Sequence, residues 1–219
     1  ISACLVGSEM CIRDRVYSMN KHMFNELIAQ RYFVAGDSDY IWLPEMEWLD
    51  KNEAFERKKV WSDVFNLQEL ELFAIDGYGD MYAWFTEGVY KEQVVFISLD
   101  SEFGGEFFAP NLSAAIFRRI LEFSSGLYTK FYTNNEEVNM ADSDEYMSES
   151  EAVEILTRCR LAFGSYFEDQ WNKILNKMIE RGINDQNCFI NEDKISLQEL
   201  THILNYKKIG TSIILKNQM

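Results

Sequence analysis

The sequence predicts an α+β fold, an antiparallel meander sheet packed against helices, with a mainly helical C-terminal extension. Three observations predict it. Apolar residues recur at helical spacing on both sides of a block whose period falls to two. Gly-bearing segments short enough for hairpins punctuate that block. Only 2 Pro occur, while hydrophobic residues make up 47% and aromatics 15%, so a large aromatic core is available and disorder is not expected.

Met23, Phe24, Leu27, Ile28 and Tyr32 recur at three and four, predicting an amphipathic helix over 19–32 that Gly36-Asp37-Ser38-Asp39 ends. Trp42, Leu43, Met46, Trp48 and Leu49 form an aromatic–aliphatic knot around Pro44. A second helix over 52–65 carries Phe55, Val60, Trp61, Val64 and Phe65 against a charged Glu56-Arg57-Lys58-Lys59 face. Trp42, Trp48 and Trp61 read as core packing in preference to a partner groove.

The period then switches. Residues 70–75 and 81–85 read as strands joined by Asp76-Gly77-Tyr78-Gly79-Asp80, whose glycines allow a tight reversal and whose aspartates can bond turn amides. The third strand, 93–99, is apolar on both faces and therefore central. A Gly-bearing turn over 100–106 leads to a short edge strand at 107–109. Asn111 caps a helix over 112–123, with Leu112, Ala115, Ile116, Ile120 and Phe123 on one face, and Ser124-Ser125-Gly126 stops it.

Residues 136–154 hold eight acidic and no basic side chains. An acidic linker over 133–147 is expected to separate the 19–132 domain from the helical 148–219 region. Ser148 with Glu151, and Ser196 with Glu199, have capping-box spacing. The helix after Ser148 is expected to break at Gly164, and 212–215 is a candidate last strand. Residues 1–15 fit no structural pattern. Back-translated, Met10-Cys11-Ile12-Arg13-Asp14 resembles a sequencing-library adapter end, so this stretch is expected to be read-through that packs against nothing. Setting it aside leaves Cys159 and Cys188, two lone thiols without metal spacing, as a reducing, cytoplasmic compartment would have.

The net charge is −15, and removing Glu9, Asp14, Arg13 and Arg15 together does not change it. Such a surface repels phosphate backbones and anionic lipid, which argues against nucleic-acid and membrane partners. It suits a basic protein partner, or serves solubility alone. No stretch approaches the apolar length of a membrane helix.

Catalytic patterns are sparse. The 76–80 segment is too short for a calcium loop and lacks the Lys and helix of a phosphate loop, so a hairpin turn is the better reading. His22 and His202 have no triad or metal spacing, and Ser165 lacks the second glycine of a nucleophile elbow. No catalytic residue, metal or cofactor is expected. Alternation along the hairpin instead predicts Met81, Ala83 and Phe85 inward, with Tyr82 and Trp84 outward as binding anchors beside Tyr78. The expected partner face joins these with Asp76 and Asp80 and with Glu136, Glu137, Asp142 and Asp144. The competing reading places Tyr82 and Trp84 under the C-terminal helices.

The run from Leu72 through Asp76-Gly77-Tyr78-Gly79-Asp80 to Trp84, the strand Val94 to Leu99, Asn111-Leu112-Ser113, and the helix end Ile120-Leu121-Glu122-Phe123 resemble the SUKH superfamily, relatives of the fungal Smi/Knr cell-wall assembly regulators. The resemblance covers 23–127 and implies a binding module. Bacterial members look like immunity proteins that neutralise toxins, often nucleases or deaminases. A regulatory scaffold is the fungal-type alternative, and an enzyme with an unrecognised site is the remaining class.

Overall fold

The computed structural model of the chain describes residues 18–30, 32, 41, 43, 45–132, 149–181 and 195–217. The expectations for 1–15, Trp42, Pro44, the acidic linker, Ser148 and Cys188 lie outside them. Ser18 caps α1 (Met19–Ala29) by accepting from Lys21 N, and Met23, Phe24 and Leu27 form its buried face. After β1 (Glu47–Trp48), Asp50 and Glu53 close a reciprocal capping box that starts α2 (Lys51–Trp61).

The sheet follows as a meander of β2 (Leu70–Ile75), β3 (Met81–Phe85), β4 (Val94–Ile97) and β5 (Gly104–Ala109). β6 (Ser212–Ile214) returns from the far end of the chain to complete six antiparallel strands in the order β1-β2-β3-β4-β5-β6. The α+β class predicted from the pattern is the one observed.

Two elements extend beyond the sequence reading. β5 begins at Gly104, inside the segment expected to be a turn, and it is not an edge because β6 pairs with it. The glycines explain this. At Gly104, with φ at +88°, a Cβ would stand 2.9 Å from the Lys216 backbone nitrogen, so glycine is required there, whereas a Cβ at Gly105 would stand 2.7 Å from Leu215 Cδ1 and would force that side chain to shift. The helix after Asn111, α3 (Leu112–Tyr132), runs through Ser124-Ser125-Gly126 without stopping. The Ser124 hydroxyl donates back to Ile120 O, a bond that weakens the helix slightly without ending it.

The C-terminal third contains α4 (Glu149–Phe163), a single 3₁₀ turn at Gly164–Tyr166 where the break was expected, α5 (Asp169–Arg181) and α6 (Leu197–Ile203). It docks on the first part. Phe117 of α3 stacks on Trp171 of α5 at 5.1 Å between centroids, with 9° between planes. Trp171 Nε1 donates to Ile203 O at 3.1 Å, and the Tyr206 hydroxyl donates to Gln93 Oε1 at 2.7 Å. One apolar cluster therefore runs from Met23 to Leu215. Among the described residues no helix is long and apolar enough to cross a membrane.

Tyr166 ties the 3₁₀ turn to α1 by donating its hydroxyl to Glu26 Oε2 at 2.8 Å. Burial, reinforced by the Glu26 carboxylate, pushes this phenol up to about 12. The folded protein thus keeps a proton that an unfolded tyrosine releases near pH ~10. The stability this contact supplies is complete below that pH and is lost as pH rises toward 12. Denaturant midpoints measured across this alkaline range should fall less steeply for Tyr166→Phe than for the parent. Parallel declines would show that the contact adds no stability.

Candidate binding face

The predicted face divides once its residues are placed. Asp76 N donates to Asp80 O at 2.9 Å and Gly79 N donates to Asp76 O at 3.1 Å, closing the hairpin turn with Gly79 at a φ of +89°. The Asp76 carboxylate faces inward and accepts from both Tyr78 N and Asp80 N at 2.9 Å. It is buried and committed to the turn, which removes it as a partner contact. Asp80 is half-buried. Tyr78, on this braced tip, is 91% exposed.

Tyr82 and Trp84 do not point into solvent: both are 0% exposed, which overturns their assignment as anchors. Trp84 lies 5.1 Å from Phe73 in a stacked arrangement and meets Phe24 of α1 edge-on at 5.5 Å. Tyr82 packs on Phe96 at 4.9 Å and on Phe108 at 5.1 Å, with the Arg119 guanidinium of α3 5.1 Å from its ring centre. The cover comes from α1 and α3, not from the C-terminal helices. Met81, Ala83 and Phe85 on the opposite face are buried as well, so β3 is enclosed on both sides. Glu136, Glu137, Asp142 and Asp144 lie outside the described residues.

Sequence reasoning missed the surface that α2 presents. The helix has no buried side chain, and Phe55 and Val60 are 66% and 68% exposed. The apolar face expected there does not exist as one stripe. Phe55 and Val60 are five residues apart, which separates them by roughly 140° around the helix. Only Phe65, beyond the helix end, is buried, and it sits 6.0 Å from Trp61. That angular mismatch was the available signal.

Ala54 and Trp61 rest partly buried against the core, and polar contacts add to their hold on α2. Besides its capping box, Lys58 Nζ donates to Leu70 O at 2.8 Å and Gln68 O at 3.4 Å. These carbonyls are at the edge of β2 that β1 leaves uncovered, since β1 pairs only with Ala74 and Ile75. A lysine capping an open edge is a defence against strand addition. Partial burial lowers the Lys58 pKa, opposed by the Glu71 carboxylate.

Grooves flank the helix. The one between α2 and the β2 edge has a volume of about 340 Å³, with Phe55 on its wall. The one between α2 and β1 has a volume of about 530 Å³ and carries Glu47, Glu53 and Glu56 around Trp48, Val60 and Trp61. Ile75 lines it as well and is the last residue of β2, so the turn bearing Tyr78 leaves directly from its wall.

Cys159 is buried, as expected of it, and burial pushes its thiol up to about 12, leaving almost no thiolate at neutral pH. His22 Nε2 lies 3.6 Å from Glu26 Oε1 on the exposed side of α1, and His202 occupies the last turn of α6. Among the described residues no group of three His, Cys, Asp or Glu is placed to hold a metal ion. Compared with known proteins, the chain matches no family model, no curated protein and no solved structure.

Proposed function

We propose that this protein is a non-catalytic module that grips a basic protein partner, in the manner of an immunity protein neutralising a toxin. The observation that carries the reading is α2, an 11-residue helix with no buried side chain. It holds Phe55 and Val60 in water, and Val60 shares a groove with Ile75, from which the turn bearing the 91% exposed Tyr78 departs. A partner surface that covers these side chains gains their burial free energy, about 25 cal/mol per Å². Tyr78 loses little freedom on binding, because its turn is already fixed.

The net charge of −15 supplies the long-range part, speeding encounter with a basic domain and opposing phosphate-bearing competitors. The order of elements by which the chain resembles the SUKH superfamily supports the same class. A toxin that binds nucleic acid fits best, because its phosphate-binding surface is complementary to an acidic inhibitor.

The test is co-expression with a toxic domain encoded immediately upstream of the gene. The chain should restore growth and co-elute with that domain as a stable complex. Tyr78→Ala combined with Val60→Ser should weaken the complex by about 2 kcal/mol or more at unchanged thermal stability. Absence of both protection and binding would sink the immunity reading. Full affinity in the double variant would place the interface elsewhere on the surface.

A further inference from the structure

Resting on that reading of a basic protein partner, we propose that the groove between α2 and β1 is an arginine subsite, taking one guanidinium side chain of the partner between its carboxylate rim and the face of Trp61. The groove has an apolar lining in Trp48, Leu49, Val60, Trp61 and Ile75, and a rim of three carboxylates opposed by one lining cation, Arg57. Trp48 is 9% exposed and forms the floor, whereas Trp61 is only half-buried and leaves ring surface accessible.

The carboxylates are available to a better donor. Glu47 is exposed on β1. Glu53 uses one oxygen, Oε2, to accept from Asp50 N, leaving the other for a ligand. Glu56 lies 3.9 Å from Lys59 Nζ, with both side chains largely in solvent, a contact at its outer limit and worth little.

An acidic rim over an aromatic wall matches arginine better than any other side chain. A guanidinium presents a planar fork to carboxylates, stacks flat on an indole, and gives up its hydration more readily than an ammonium. An acidic or phosphorylated segment would meet like charge, and a purely apolar segment would leave the rim carboxylates desolvated without partners. The groove volume of about 530 Å³ leaves room for a long side chain together with part of the backbone that carries it.

The full chain should be titrated with tetra-arginine amide, and with tetra-lysine amide as the control of equal charge, following heat and tryptophan fluorescence. The arginine peptide is expected to bind about tenfold tighter than the lysine peptide, because only the guanidinium both forks and stacks. Glu47→Gln with Glu56→Gln should lower its affinity about tenfold, whereas Glu102→Gln with Glu180→Gln, an equal charge change at exposed remote sites, should not. Trp61→Phe should abolish most of the fluorescence response. Equal affinity for the two peptides, or equal losses in the two double variants, would show attraction to the general acidic field and overturn the subsite. The titration needs no partner, so its failure would leave a positive co-expression result standing. Selective arginine binding without protection would instead reject only the immunity reading.

Discussion

Trp84→Ala should lower folding stability by about 3–5 kcal/mol, measured as a shift in denaturant midpoint at unchanged slope. Trp84 is 0% exposed and among the largest fully buried side chains. Its truncation removes ring contacts with Phe73 on the same sheet and Phe24 on α1, so the cavity opens between two layers that cannot easily collapse together. Trp84→Phe should cost distinctly less. It keeps most of the ring contact, and Nε1 has no hydrogen-bond partner among the described residues, so no hydrogen bond is lost with it. A Trp84→Ala variant that kept its midpoint but lost affinity for a partner would restore this residue as an exposed anchor.

That residue also marks where the sequence was legible and where it was not. The strands of the hairpin follow from period and turn chemistry, which are local properties, and they were found within their true limits. Which face of a strand meets solvent is not local. Met81, Tyr82, Ala83, Trp84 and Phe85 are apolar or aromatic at every position, the pattern of a strand covered on both sides, yet alternation alone assigned them one wet face. The cover depends on α1 and α3 converging from opposite ends of the domain.

Gly104 and Gly105 were equally ambiguous. Beside Ser101 and Asp100 they look like turn residues, and only the approach of a strand more than 100 positions away, at Ser212–Ile214, makes them strand residues. For α2 the reverse holds. Its isolated apolar residues suggested a buried stripe, but their angular spread and the neighbouring charges leave them in solvent, and the candidate binding face consists of them. Tyr78, the aromatic of the predicted face that is exposed, has that exposure set locally, by a turn whose own aspartate fixes it.

A second large effect is expected at Asn20, a residue that no motif singled out. It is 1% exposed on the first turn of α1. Its Nδ2 donates to Glu92 O at 2.7 Å, and its Oδ1 accepts from Leu112 N at 2.8 Å. One side chain thereby joins α1 to the β3–β4 connection, where Glu92 sits at a φ of 71°, and to the opening turn of α3. Leu112 N–H belongs to the helix-start amides that have no partner within the helix, and Asn111 already spends its own oxygen on Ala114 N. Asn20→Ala leaves a buried donor and a buried acceptor unpaired, and at about 1–3 kcal/mol each the total loss should be about 2–5 kcal/mol. Asn20→Asp is close to isosteric and still accepts from Leu112, but it turns an oxygen toward Glu92 O where a donor is required. Burial there favours the protonated acid, so the folded state holds a proton that the unfolded chain releases. The Asn20→Asp variant should therefore be weakest at neutral pH and gain stability as pH falls toward about 4, while Asn20→Ala shows no such recovery. Denaturation of both variants at neutral and acidic pH reads the difference. Losses below about 1 kcal/mol in each, with no divergence between them at low pH, would mean that the three segments are held together without this clamp.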